Sequence, residues 1–569
     1  MNTLQKTPLA TLIGTAMLLT ACSGGNAPVS SASALPQLSA ASGAPLGSCA
    51  DLVTRLRLAN TTITGANPIA AGTLTIAGKP VPAHCQVTGR MFERTSTVDG
   101  QNYAIGFEMR LPNNWNGRFF YQANGGLDGA VVPATGPVGG GGPLDNALNQ
   151  GFAVISSDAG HAAPTPFFGS DPQARYDYGY QAVGKLTPMA KSLIETAYGK
   201  RPDRSYIGGC SNGGRHAMVA AARYADQYDG VLVGNPGYRL PLAAIANVAG
   251  GKAYNALAST PGDPSTGFTQ AERALVSNAV LAKCDALDGA TDGLIQNTKA
   301  CQAAFDLNRD VATCTGERNG SCLSAAQKTA IGGLFAGATT ASGTKIYTSF
   351  PYDAGLATSD WANWKFSSPS TRDAGAIGLV WQVPPENAAT FNGVAFVQNG
   401  DLATMLARVG ATNATFTESA LSFMLPPNPT NLATLKNRGA KLLAYHGTSD
   451  PIFSSDDTAA WYDGLRTASG GEAADFARYY QVPGMNHCSG GPSAEQFDML
   501  TPLVNWVERG QAPDSITASA RGAGNAGGGN ASVPANWSPN RTRPLCPYPK
   551  TAQYRGSGSI EDAASFSCQ

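Results

Sequence analysis

The stretch "IGGCSNGGRH", residues 207–216, places Ser211 in a Gly-x-Ser-x-Gly frame. A serine hydroxyl is a poor nucleophile until a base takes its proton and a third group orients that base. The flanking glycines suit a sharp turn from a strand into a helix, which would expose the hydroxyl for acyl transfer. The frame alone reads equally well as a glycine turn, so its partners must be found in the chain order serine, acid, histidine. Five histidines are present. His84 lies far upstream beside Cys85, His161 precedes the serine, and His216 falls in the helix after it. His446 lies on the strand run ahead of Asp450 and reads as a core residue. His487, in the glycine-rich "PGMNHCSGG" after the strand-like "ARYYQV", is the expected base, and Asp450, after "KLLAYHG", the expected acid. An oxyanion needs backbone N–H donors where charge develops. Asn212 follows the nucleophile directly, and Gly126, in "NGG" after "RFFYQ", is the expected second donor.

These residues need a scaffold that brings distant loops together. "QNYAIGFEMRLP" alternates as a strand does, while "FAVISS" and "VLVG" are short apolar runs suited to buried strands. "GYQAVGKLTPMAKSLIETAYG" has helical spacing and ends at Gly199, and "GRHAMVAAARYADQYDG" reads as the helix after the serine. Strands alternating with helices predict an α/β fold with a parallel sheet. The alternation breaks from about Gly237 to Thr430 and resumes at "AKLLAYHGTSD". The expected organisation is a core in two parts, 49–236 and 431–569, interrupted by a lid or cap domain over 237–430. A chain of 569 residues exceeds one simple core and accommodates this division.

With 39 basic and 39 acidic residues the chain is neutral, which argues against a nucleic-acid partner or a basic membrane-binding face. The N-terminus reads as a targeting segment over 1–22, with Lys6 ahead of an apolar run too short to remain as a membrane span. Leu19-Thr20-Ala21-Cys22 resembles a bacterial lipobox, in which the cysteine is lipidated; an ordinary secretion signal cut nearby is the alternative. A Ser/Ala/Pro/Gly-rich stretch over 23–48 then reads as a flexible tether. The expected location is outside the cytoplasm, as an outer-membrane lipoprotein, periplasmic or extracellular.

Export implies an oxidising compartment. Without Cys22, ten of the eleven cysteines remain, enough for five disulfides. Proximity pairs Cys284 with Cys301, Cys314 with Cys322 and Cys546 with Cys568, and Cys49 with Cys85 would pin the N-terminus. Cys210 and Cys488 are left over, beside Ser211 and His487; a bond between them would staple the serine turn to the histidine loop. "CDALDGATDG" crowds Asp285, Asp288 and Asp292 into a tight loop. Such hard oxygen ligands suit Ca²⁺, and a solvated acidic turn is the alternative.

The Cys-Ser, Asp, His-Cys arrangement resembles the tannase and feruloyl esterase family. So do "FGSDPQARYDYGY", "YDGVLVGNPGYRLP", "CDALDGATDG", "VPGMNHCSGGP", "FDMLTPLVNWVERGQAPD" and "RTRPLCPYP", which span nearly the whole mature chain. The resemblance implies an α/β-hydrolase core with a large lid, and a serine esterase acting on small aromatic carboxylic esters. It also implies a structural lid calcium, with the carbonyls of Ala290 and Leu294 completing the three aspartates. Trp364, Ile452 and Phe453 are candidates for the flat apolar walls an aromatic acyl group needs. Family members acting on terephthalate monoesters set a lid arginine against the free carboxylate, a part that falls to Arg372 in "PSTRDAG". That stretch is shorter here, so gallate, ferulate or hydroxybenzoate esters stand beside a terephthalate monoester as expected substrates. The reading from another class is a non-catalytic, calcium-stabilised surface binding protein on a hydrolase scaffold.

Overall fold

The computed structural model describes residues 35–569. The targeting segment, Cys22 and the first part of the tether lie outside the described residues. Nine strands make the central sheet: β1 (Thr61–Ile69), β2 (His84–Thr95), β3 (Asn102–Pro112), β4 (Arg118–Gln122), β5 (Ala153–Ser157), β6 (Arg204–Cys210), β7 (Gly230–Gly234), β8 (Lys441–Gly447) and β9 (Ala477–Val482). Their order across the sheet is β9-β8-β7-β6-β4-β5-β3-β2-β1. The six strands from β9 to β5 run parallel, while β5, β3, β2 and β1 pair antiparallel in turn. The architecture is α/β with a mixed sheet. β7 and β8 are buried along their whole length, which explains why they read as unbroken apolar runs.

Parallel strands end on the same edge of a sheet, so the loops after β4, β6, β8 and β9 gather there. Helix α1 (Ala182–Tyr198) stops where Gly199 takes a left-handed conformation, as expected from its glycine. Helix α2 (Asn212–Arg223) starts directly after Ser211. The chain between β7 and β8 adds no strand to the sheet and includes α3 (Leu240–Ala256) and α4 (Gln270–Cys284).

The extent of the tether is corrected, and the insertion packs directly on the rest of the molecule. Its apolar side chains, among them Ile245, Val248, Tyr254, Trp361 and Ile377, form one core with Phe168, Tyr178, Ile452 and Phe453 from outside it, and residues 36–569 make a single compact unit. Helix α3 is buried along most of its length, chiefly against other elements of the insertion. The tether expected through residue 48 is fastened from about residue 37. Gln37 Nε2 donates to Val507 O at 2.8 Å, Ala41 N to Glu508 at 2.9 Å and Ser42 N to Asp203 at 2.8 Å, and Ala44–Pro45 pairs with Asn114–Trp115. Low-complexity composition gave no sign of partners so far along the chain.

The ten cysteines form the five expected bonds: Cys49–Cys85, Cys210–Cys488, Cys284–Cys301, Cys314–Cys322 and Cys546–Cys568. Among the described residues no helix is long and apolar enough to cross a membrane.

Candidate active site

Ser211 sits between β6 and α2 at φ 67° and ψ −127°, a conformation a side-chain-bearing residue adopts only at a strained turn. The glycines around it are explained by what surrounds them. A Cβ on Gly209 or Gly213 would lie 2.2 or 2.3 Å from the carbonyl oxygen of Ala123, just beyond β4. Glycine at both positions lets the serine turn and the loop carrying Gly126 close on each other.

His487 Nε2 lies 2.8 Å from Ser211 Oγ, and His487 Nδ1 lies 2.8 Å from Asp450 Oδ2. An ionised carboxylate only accepts, so Nδ1 carries the proton and Nε2 is free to take one from the serine. Asp450 Oδ1 accepts from the backbone N–H groups of Ile452 and Phe453 at 2.9 and 3.1 Å. Its Oδ2 also accepts from Asn235 Nδ2 at 2.7 Å and His446 Nε2 at 3.2 Å. Burial pushes the Asp450 carboxyl up, but His487, His446 and their hydrogen bonds outweigh it and hold the group well below the usual carboxylate range. Asp450 is therefore a fixed negative charge that orients the imidazole. The edges of Trp364 and Phe453 pack against the His487 ring, with centroids 5.1 and 5.2 Å away.

Gly126, at φ +65°, faces open space on the loop after β4, and Asn212 is the first residue of α2, where an N–H has no partner within the helix. Among the described residues Gly126 N–H donates to no backbone group. Both candidate donors share one cavity with Ser211, and Trp364, Arg372, Ile452 and Phe453 line it too. About 30 Å³ remains free among these side chains. Arg372 is on the exposed rim, its guanidinium 4.6 Å from the Trp364 ring centroid.

Sequence reasoning missed several neighbours. Asn235 and Asp373 carried no signal, and Trp381 lay in a helix whose periodicity is hidden by wide π-type turns over 363–381. His446 was assigned to the core, and it is buried there; its place four residues before Asp450, one strand end earlier, was the available clue to its bond with the acid.

In the acidic loop, Asp285 Oδ1 accepts from Asp292 N and Gly293 N, Asp288 Oδ1 from Ala290 N, and Asp292 Oδ1 from Leu294 N. Asp292 Oδ2 also pairs with Arg543 at 2.5 Å. Asp288 Oδ2 is buried without a hydrogen-bond partner, and burial pushes the Asp288 carboxyl up to about 7. Among the described residues no three Asp, Glu, His or Cys side chains converge as a ready-made metal cage. The donor chemistry and the orphaned Asp288 oxygen fit a hard cation, while Arg543 already neutralises Asp292.

The fold and this arrangement define a carboxylic ester hydrolase. The chain belongs to the tannase and feruloyl esterase family, whose model matches residues 85–569. It is 40% identical over 536 residues to the mono(2-hydroxyethyl) terephthalate hydrolase of Piscinibacter sakaiensis, covering 88% of this chain and 87% of that one. Feruloyl esterase B of Aspergillus niger is 27% identical over 562 residues, covering 94% and 98%. The crystal structure of feruloyl esterase B from Aspergillus oryzae superposes with a TM-score of 0.72 at 23% identity, covering 92% of this chain and 99% of that one. A non-catalytic binding role is not favoured by these relatives.

Proposed function

We propose that the chain is an exported serine esterase of small aromatic carboxylic esters, built as an α/β-hydrolase core whose 237–430 insertion acts as the lid. The observation that carries this reading is the His487 ring, bonded on one side to Ser211 Oγ and on the other to Asp450. Ser211 Oγ attacks the ester carbonyl as its proton passes to His487 Nε2, and Asp450 steadies the resulting imidazolium. The N–H groups of Gly126 and Asn212 take the oxyanion. His487 returns the proton to the departing alcohol, leaving an acyl-enzyme on Ser211. Water, deprotonated by His487, then releases the acid. The apolar N-terminal run and Cys22 support export with a lipid anchor.

Trp364, Ile452 and Phe453 are the proposed walls for the aryl group, and relatives named for terephthalate and ferulate esters support an aromatic acyl class. Arg372 is the proposed contact for a free carboxylate. Assay of methyl gallate, methyl ferulate and mono(2-hydroxyethyl) terephthalate separates the alternatives. If the last is a substrate, Arg372→Ala should raise its KM roughly tenfold, with little change for the two methyl esters. An equal effect on all three removes Arg372 from carboxylate recognition.

Calcium belongs to the same proposal. Asp285, Asp288 and Asp292, with the carbonyls of Ala290 and Leu294, would hold Ca²⁺, which would supply charge compensation and tie the loop down, remote from bond making. Chelation should lower the Tm, and added calcium should restore it in a concentration-dependent way. An unchanged melting curve after exhaustive chelation, with no calcium by elemental analysis, sinks this part.

A further inference from the structure

The two oxyanion donors come from different segments, Gly126 from the loop after β4 and Asn212 from the start of α2. Their spacing must be set by something that spans both. Asp128 does so through its backbone on one side and its carboxyl on the other, beside Tyr178, whose hydroxyl donates to Gly126 O at 3.2 Å and whose carbonyl accepts from Arg215 Nη2 at 3.1 Å.

The backbone of Asp128 orients Gly126. Asp128 N donates to Gly125 O at 3.2 Å and closes a tight turn through Gly126 and Leu127. A trans peptide is planar with its C=O and N–H opposed. With the Gly125 carbonyl turned in toward Asp128, the N–H of Gly126 is turned out of the loop. Gly126 and Asp128 themselves have φ of +65° and +56°, so the turn is an unusual one that its surroundings must hold.

The side chain of Asp128 grips the other donor's helix. Asp128 Oδ2 accepts from Asn212 Nδ2 at 2.9 Å and lies 2.9 Å from His216 Nε2. Behind these stands Arg215, fully buried and, among the described residues, in direct salt bridge with no carboxylate. Its Nε donates to Asn212 Oδ1 at 2.6 Å, and its Nη2 lies 3.2 Å from both ring nitrogens of His216. The His216 ring is thus packed between the guanidinium and Asp128, with Nε2 facing the carboxyl. Burial keeps His216 below the ordinary imidazole range, hence neutral, and pushes Asp128 up against the opposing pull of Arg215 and the Asn212 amide. The Asn212 amide thus links the buried Arg215 guanidinium to the Asp128 carboxyl, with the His216 ring packed against both. Every member of this ring is used, and it closes only if the Gly126 loop and the α2 start keep one relative position.

We propose that Asp128 is a positioning residue for the oxyanion hole, fixing the Gly126 and Asn212 N–H groups in register before substrate arrives. This rests on Ser211 being the nucleophile. Preorganised donors act on the transition state rather than on the bound ester, so loss of register should appear in kcat more than in KM.

The test uses the full chain with Asp128→Asn and, separately, Asn212→Ala, which keeps the backbone N–H and removes only the amide that Asp128 holds. Each should lower kcat roughly 10- to 100-fold with KM changed less than about threefold. Affinity for an aryl boronic acid, which forms a tetrahedral adduct on the serine, should fall in step with kcat/KM. Inhibition by the product acid should be unchanged. The double variant should be little worse than either single one, since both break the same link. Wild-type kcat in folded Asp128→Asn overturns the proposal. So does equal loss of boronate and product affinity, which marks general damage. Should Asp128→Asn fail to fold, full kcat in Asn212→Ala overturns it. Boronate binding that survives Ser211→Ala instead refutes the nucleophile assignment, and so separates the two failures.

Discussion

Ser211→Ala and His487→Ala should each lower kcat for a p-nitrophenyl ester by roughly four to six orders of magnitude, because the members of such a triad act as a unit. Without Oγ there is no covalent intermediate. Without the imidazole the hydroxyl keeps its proton, and nothing in the 2.8 Å contact network replaces the base. The double variant should be scarcely worse than either single one. What activity remains should come from the Gly126 and Asn212 donors and from substrate positioning, both of which survive the substitutions. Thermal stability should change little for Ser211→Ala, whose strained φ is set by the backbone around it. Alanine at 211 in a folded protein with near-native turnover would show that the nucleophile lies elsewhere.

Replacing both Cys210 and Cys488 should cost about 5–6 kcal/mol of stability on a chain-entropy estimate, since the bond closes a loop with a sequence separation of 278. Turnover should fall as well. The bond is attached one residue from Ser211 and one residue from His487, so it fixes the relative position of the two loops whose side chains meet at 2.8 Å. Small displacements at that distance cost rate steeply. Urea unfolding measures the first effect and kcat at a temperature where the variant is folded measures the second. A linked Cys210–Cys488 peptide pair in a non-reduced digest of the native protein is the accompanying check. Two alkylatable thiols in freshly isolated native protein would remove the staple.

The sequence alone placed Ser211, Asp450 and His487 because each stands directly after a short apolar strand, a signal contained within about ten residues. The helix stop at Gly199 is equally local, a glycine directly after the last turn. Three disulfides were legible from spacing. Cys210–Cys488 followed from counting what was left, and from the two residues that its halves adjoin.

Tertiary structure decided what converges. His446 and Asn235 share Asp450 with His487 only because β7, β8 and β9 lie side by side, an order that local periodicity does not encode. The apolar side chains of the insertion share one cluster with Phe168, Tyr178, Ile452 and Phe453, a contact that no local pattern announces. Asp292 met Arg543, and Asp128 met Asn212 and His216, across separations of 251, 84 and 88 residues. Strand and helix patterns repeat every two or 3.6 residues and report which face of an element is buried. They carry no information about which distant polar group will stand opposite, and that is where this site obtains its geometry.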